Sequence, residues 1–194
     1  MHPKPLNSAE FTYRPVTLDQ WEDFQVLFTE PGIQNGCWCV YWRLRRVDCQ
    51  HGYGEGNKQA FKAVLESGQV PGILAYHEGA PVGWCAIARR EETAVLDRSP
   101  TLKRVDNLPV WSITCFFISK PYRRQGMTEL LIQAALEHAQ LNGARIVEAY
   151  PLRTEISKIL PYERYMGIQS TFERMGFKVV GERSERRPVM RYWL

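Results

Sequence analysis

The spacing of apolar and polar positions changes along the chain, and each change marks an element. Phe11 to Thr17 alternates and predicts a first strand. From Leu18 to Phe28 the spacing turns helical, with Trp21, Phe24, Leu27 and Phe28 on one stripe and Thr17 placed to cap the start. Gly32 to Gly36 breaks that helix. Cys37 to Leu44 is dense in Cys, Trp and Tyr, and Asp48 to Gly56 is polar and glycine-rich, which predicts a mobile loop. A second helix fits Asn57 to Ser67 on the stripe Phe61, Val64 and Leu65.

The pattern then becomes strand-like. Gly72–His77 and Val82–Arg89 flank the turn His77-Glu78-Gly79-Ala80, a hairpin signal. Glu91 to Leu108 is a polar connection. Val110–Ser119 is a strongly apolar strand, Gly126–Leu141 a helix ended by Asn142-Gly143, and Arg145–Tyr150 another strand. A short helix at Gly167–Met175, closed by Gly176, precedes two strands, Phe177–Glu182 and Val189–Leu194, that can pair as a hairpin. The order β-α-α-β-β-β-α-β-α-β-β predicts a mixed α/β (α+β) fold with a central sheet between helices. Within it, the unit Val110–Tyr150 should be a right-handed parallel crossover.

Composition narrows the class. A chain of 194 residues with 44% hydrophobic and 24% charged residues predicts one soluble globular domain over residues 1–194. No apolar run approaches the ~18 residues of a membrane span, so no membrane partner is expected. Met1–Glu10 lacks the features of a signal peptide, and an odd count of five cysteines argues against a disulfide framework; both point to the cytoplasm. Residues 1–100 hold 10 Lys/Arg against 12 Asp/Glu, whereas residues 101–194 hold 15 against 9. The basic half suits an anionic ligand. No Lys/Arg block is long enough to suggest nucleic acid.

The stretch Phe117-Ile118-Ser119-Lys120-Pro121-Tyr122-Arg123-Arg124-Gln125-Gly126-Met127-Thr128 is the most informative. A buried strand ends, a loop turns and a helix starts near Gly126. The first amides of a helix lack internal partners and sit at its positive end, where a pyrophosphate fits. Taken alone, a single-glycine turn suits a phosphate site and an ordinary helix start equally.

These residues resemble the GNAT superfamily of acyl-CoA N-acyltransferases. Arg123, Gly126 and the helix Glu129–Ala139 match its Arg/Gln-x-x-Gly-x-Gly/Ala motif. Phe172-x-x-x-Gly176-Phe177 looks like its Tyr-x-x-x-Gly-Phe segment. The resemblance implies a central mixed, mostly antiparallel sheet flanked by helices, with acetyl-CoA as co-substrate. It implies that the backbone of Phe117, Ile118 and Ser119 pairs with the pantetheine arm, while Arg123, Arg124, Gln125, Gly126, Met127 and Thr128 hold the pyrophosphate. The partner is then an amine acceptor, and the resemblance leaves room for a homodimer. Three positions depart from the pattern: Thr128 replaces Gly/Ala, Arg124 stands where many members have Gly, and Phe172 stands where many have the Tyr that protonates the leaving thiolate.

Acyl transfer needs an acid for that thiolate and a base for the amine. Tyr165, just before the Phe172 helix, is the nearest phenol, with Tyr162 second. Glu148, between Val147 and Ala149, can be a base with a raised pKa or the centre of a buried ion pair. Ser112 and Thr114 share a strand face that can line the acceptor site. Cys115 reads as a core residue and His138 as a structural histidine. In Gly36–Arg43, Trp38 and Trp42 can wall the acceptor pocket or fill the core. Cys37, Cys39, Cys49 and His51 offer four soft ligands at a spacing uncommon for zinc, so no metal is expected. Phe172 keeps open a second class of function, a catalytically inactive acyl-CoA-binding module; a metal-stabilised interaction domain is a third.

Overall fold

The computed structural model describes residues 6–30, 36–154 and 160–194. Their strands form one seven-stranded sheet in the order β1-β2-β3-β4-β5-β7-β6. β1 (Phe11–Pro15), β2 (Gly72–His77), β3 (Ala80–Arg89) and β4 (Trp111–Ile118) run antiparallel to their neighbours. β4 and β5 (Ile146–Ala149) pair in parallel, and β7 (Val189–Trp193) enters antiparallel between β5 and β6 (Lys178–Gly181). The sheet is thus mixed and mostly antiparallel, and β4 and β5 form the expected parallel pair.

Each face of the sheet carries its own core. The helix α5 (Met127–Leu141) buries Leu131, Ile132, Ala135 and Ala139 against Ile113, Phe116 and Val147. Its small residues bring its axis close to the strands, the usual reason for an alanine stripe on a sheet-packed helix. On the other face, α1 (Trp21–Phe28) and α3 (Glu55–Glu66) set Phe24, Leu27, Phe28, Phe61 and Leu65 against Leu74, Tyr76 and Trp84. Phe24 and Phe61 stack at 4.1 Å between ring centroids. Thr17 caps the start of this layer, with Gln20 reaching back to its amide, as the sequence predicts.

Two segments differ from their expected form. Asp48–Gly56 is not a mobile loop: α2 (Arg46–His51) occupies it, and α3 starts at Glu55. The segment is held by a long-range contact that local patterning does not reveal. The buried Asn57 carboxamide donates to the carbonyls of Gly36 at 2.7 Å and Cys49 at 2.9 Å. The connection Glu91–Leu108 holds a 3₁₀ turn at Arg90–Thr93 and a short helix, α4 (Val95–Arg98). Most of the break expected at Gly32–Gly36 lies outside the described residues.

β4 and β5 are paired only from Trp111 to Ile113. Past Ile113 the β3–β4 register slips, leaving Thr114 as a bulge. The chain after β5 departs to bridge Leu152 with Ile168, and the 3₁₀ helix Pro161–Met166 packs against β4. From Thr114 to Ile118, therefore, β4 has a ladder partner on one side alone among the described residues.

Candidate active site

The unpaired edge of β4 leads directly into the turn before α5. Ser119 N bonds to Val82 O at 2.9 Å, so the alternation of the ladder sends the main-chain groups of Phe116 and Ile118 toward the open side. The expected edge of Phe117, Ile118 and Ser119 shifts by one residue. Phe117 and Ser119 face β3, and the Ser119 hydroxyl is held by Glu30 at 2.6 Å.

In the turn, Arg124 (φ 61°) and Gly126 (φ 91°) are left-handed. Such a backbone suits glycine and strains an L-residue such as Arg124. The amides of Arg124, Gln125, Gly126, Met127, Thr128 and Glu129 have no acceptor among the described residues. The turn is held by other groups. Gln125 donates its side-chain amide to Pro121 O at 2.5 Å, and Gln125 O accepts from Leu6 N at 3.0 Å. Six such amides at the positive end of a fifteen-residue helix could hold an anion. Gly126 is exposed, and a Cβ there would meet nothing within 4 Å. Met127 buries its side chain and offers only its amide. Arg123 folds back along β4, donating Nε to Ile118 O at 2.7 Å above the Phe117 ring, whereas Arg124 points to solvent.

Against β4 packs the 3₁₀ helix that carries Tyr165. Tyr165 is half-buried, and burial pushes its pKa up, with Arg187 opposing and Cys115, Tyr41 and Cys37 reinforcing the shift. Its proton is therefore retained through neutral pH and above. Arg187 lies over the Tyr165 ring at 5.4 Å and is tied to Glu163 O at 2.5 Å and Tyr150 O at 3.0 Å. It fixes the segment that carries the phenol. Nothing in the polar run around Arg187 marks this role in the sequence. Tyr162 is exposed, and Phe172 is fully buried beside Phe116 and Phe177.

The other candidates divide. Glu148 is buried between Arg90, at 2.8 Å, and Arg191, at 2.8 Å, and accepts from the Tyr150 hydroxyl at 2.9 Å. Ser112, Glu148 and Arg191 are register partners across β4, β5 and β7, and the Ser112 hydroxyl completes the network at 2.8 Å from Tyr150. Both carboxylate oxygens of Glu148 are engaged by these internal partners, so this placement corrects the base assignment toward a buried ion pair. The sequence signal that could have warned of it is the surplus of arginines. Trp38 is also relocated. Its left-handed backbone (φ 46°) turns the ring into the core between Trp21, Phe24 and Phe28. Trp42 instead walls a cleft of about 510 Å³ with Tyr41, Arg45, Arg46, Val95 and Arg98. His138 stacks edge-on to Trp111, and burial lowers its pKa. Among the described residues no group of three or more His, Cys, Asp or Glu could hold a metal ion, and no helix is long and apolar enough to cross a membrane.

A mixed sheet with a bulged central strand, parted from its parallel neighbour and running into a helix start, is the architecture of an acyltransferase. The chain belongs to the Acetyltransferase (GNAT) family, whose sequence pattern matches residues 33–167, which is 135 of the 194. No curated protein matches the chain in sequence. Solved structures share its fold at low identity. The PaiA N-acetyltransferase of Thermoplasma acidophilum, in complex with coenzyme A, is 12% identical, with 95% of this chain and 99% of that one covered and a TM-score of 0.52. An agmatine N-acetyltransferase is 10% identical, covering 95% and 100%, with a TM-score of 0.57. The aminoglycoside N(6')-acetyltransferase of Legionella pneumophila is 16% identical, covering 95% and 92%, with a TM-score of 0.51.

Proposed function

We propose that residues 1–194 form one N-acetyltransferase unit that moves an acetyl group from acetyl-CoA to a primary amine of a small molecule, peptide or protein. The observation that carries this reading is the continuity of the open β4 edge with the six unpartnered amides of Arg124–Glu129. The Phe116 and Ile118 main chain would hold the pantetheine arm, and the amide cradle the pyrophosphate. Arg123 and Arg124 add positive charge. The Tyr165 phenol, on the 3₁₀ helix that packs against β4, would protonate the leaving thiolate. Its presence favours an enzyme over an inactive acyl-CoA-binding module, because it restores the acid that Phe172 lacks.

The acceptor would enter past Trp42 and Tyr41. Arg45 is paired with Asp48, but Arg46 and Arg98 have no carboxylate partner among the described residues. An amine that also carries an anionic group fits this cleft better than a polycation. PaiA, agmatine and aminoglycoside acetyltransferases, which share the fold, are N-acetyltransferases in name, and this supports an amine as acceptor. Five free thiols support a reducing, cytoplasmic setting. The test is release of free CoA from acetyl-CoA across a panel of amines with and without carboxylate or phosphate groups. Turnover with at least one amine, fastest among the anionic ones, is expected. Tight CoA binding with no turnover across the panel would establish the inactive-module reading instead.

A further inference from the structure

The cleft walled by Trp42 has a second wall, built by Val95, Arg98, Ser99 and Pro100. That wall is held by a side chain outside the lining. Arg90 is 1% exposed, and its five N–H groups make five bonds within the protein. Nε and Nη2 donate to the Asp97 carboxylate at 3.0 and 2.8 Å, and Nη2 donates also to Leu102 O at 2.7 Å. Nη1 donates to Glu148 at 2.8 Å and to the Tyr150 hydroxyl at 2.6 Å. One side of the guanidinium is thus fixed to the buried end of β5, and the other grips the connection at residues 97 and 102. Arg98, Ser99 and Pro100 lie between those two grips. Ser99 closes the turn by accepting from Lys103 N at 3.1 Å and, through its hydroxyl, from Leu102 N at 3.2 Å. Val95 N donates to Trp42 O at 3.3 Å and ties the two walls together. Burying a guanidinium costs desolvation that an apolar side chain would avoid; what its planar fork supplies is fixed geometry. The fork sets where Arg98 stands in the lining it shares with Arg46.

We propose that Arg90 is a positioning residue for the acceptor: through Asp97 and Leu102 it sets the wall that presents Arg98, so selection of an anionic amine depends on a guanidinium outside the cleft. The proposal rests on the cleft being the acceptor site. Two arginines hold an anion well when both are in place before it arrives, whereas a mobile wall adds the cost of ordering it on binding. Arg104 supplies an internal contrast. It meets the other oxygen of Asp97 at 3.2 Å, and its second partner is Glu91 at 2.7 Å, so it touches the same carboxylate without joining it to the sheet.

The experiment is an NMR titration of the full chain, saturated with CoA, with inorganic phosphate as the anion probe, alongside steady-state kinetics with an amine that the wild type accepts. In the wild type, phosphate should shift the amide signals of Arg46 and of residues 95–103. Asp97→Asn loosens one grip at the surface end of the network. It should weaken phosphate binding roughly three- to tenfold, the effect of having to order one mobile side chain. The acceptor KM should rise by a similar factor, with kcat, the acetyl-CoA KM and the melting temperature near wild type. Arg90→Lys, which keeps the charge but not the fork, should act in the same direction; the test stands on Asp97→Asn even if Arg90→Lys fails to fold. Arg104→Gln should leave both phosphate affinity and acceptor KM near wild type. Phosphate affinity unchanged in Asp97→Asn, or weakened equally in Arg104→Gln, overturns the proposal, as does a wild type in which phosphate shifts none of these signals. Absence of turnover with every amine would overturn the proposed function, a distinct result because the titration does not require turnover.

Discussion

Phe172 has no proton to give, and its fully buried ring fills the core between Phe116 and Phe177. Tyr165 lies on the preceding 3₁₀ helix, which packs against β4. Tyr165→Phe should lower kcat by about 10²–10⁴-fold with little change in CoA affinity, the signature of an acid lost from the transition state. Steady-state kinetics beside calorimetry will check it; an unchanged kcat removes Tyr165 as the acid. Its raised pKa means that the phenol stays protonated throughout the neutral range, so no fall in kcat from its ionisation is expected below its ordinary value of 10.0. The two tryptophans make a contrasting pair. Trp38→Ala should destabilise the fold by about 3–5 kcal/mol, as a large ring lost from a core does. Trp42→Ala should raise the acceptor KM more than the acetyl-CoA KM. The sequence presented both as equals because aromatic density says nothing of direction. The left-handed turn at Trp38 and Cys39 separates them.

Among elements, the turn before α5 was the most legible. Its glycine, its neighbours and its helix follow from local rules, and Gly126 adopts a conformation that suits glycine. The strand before it was legible too, but the bulge at Thr114 comes from a register slip with β3 that no local pattern encodes. Gly126→Ala and Gly126→Asp share the backbone strain, but only Asp sets a negative charge against the cradle. Asp should therefore weaken CoA binding well beyond Ala in calorimetry; equal effects would move the pyrophosphate elsewhere. The role of Glu148 was the least legible, because it depends on Arg90 and Arg191, 58 and 43 residues away. Glu148→Gln leaves two buried guanidiniums short of a counter-charge and should cost about 3–5 kcal/mol in urea unfolding. Full stability with abolished turnover would return Glu148 to the role of base.

At the scale of the molecule, acid should act through the same network. Arg191 holds Asp106 by two bonds, of 2.6 and 2.8 Å, and these, with the Leu108 amide, draw its pKa from 3.8 down to about 2. A carboxylate depressed in the folded state adds stability above its unfolded pKa and loses it as pH falls. This contribution is therefore full above about pH 4 and gone near pH 2. Asp106→Asn should flatten that part of the stability curve, as followed by circular dichroism. The succession of strands, a sheet between helices and the parallel β4–β5 pair followed from patterning, whereas the cleft arises where segments distant in the chain converge. The central claim is that acyl-CoA lies along the open β4 edge and ends at the α5 amides. Amide hydrogen exchange with and without CoA tests it most directly: the account predicts slowed exchange at Phe116, Ile118 and Arg124–Glu129, and bound CoA that leaves those amides unprotected would contradict it.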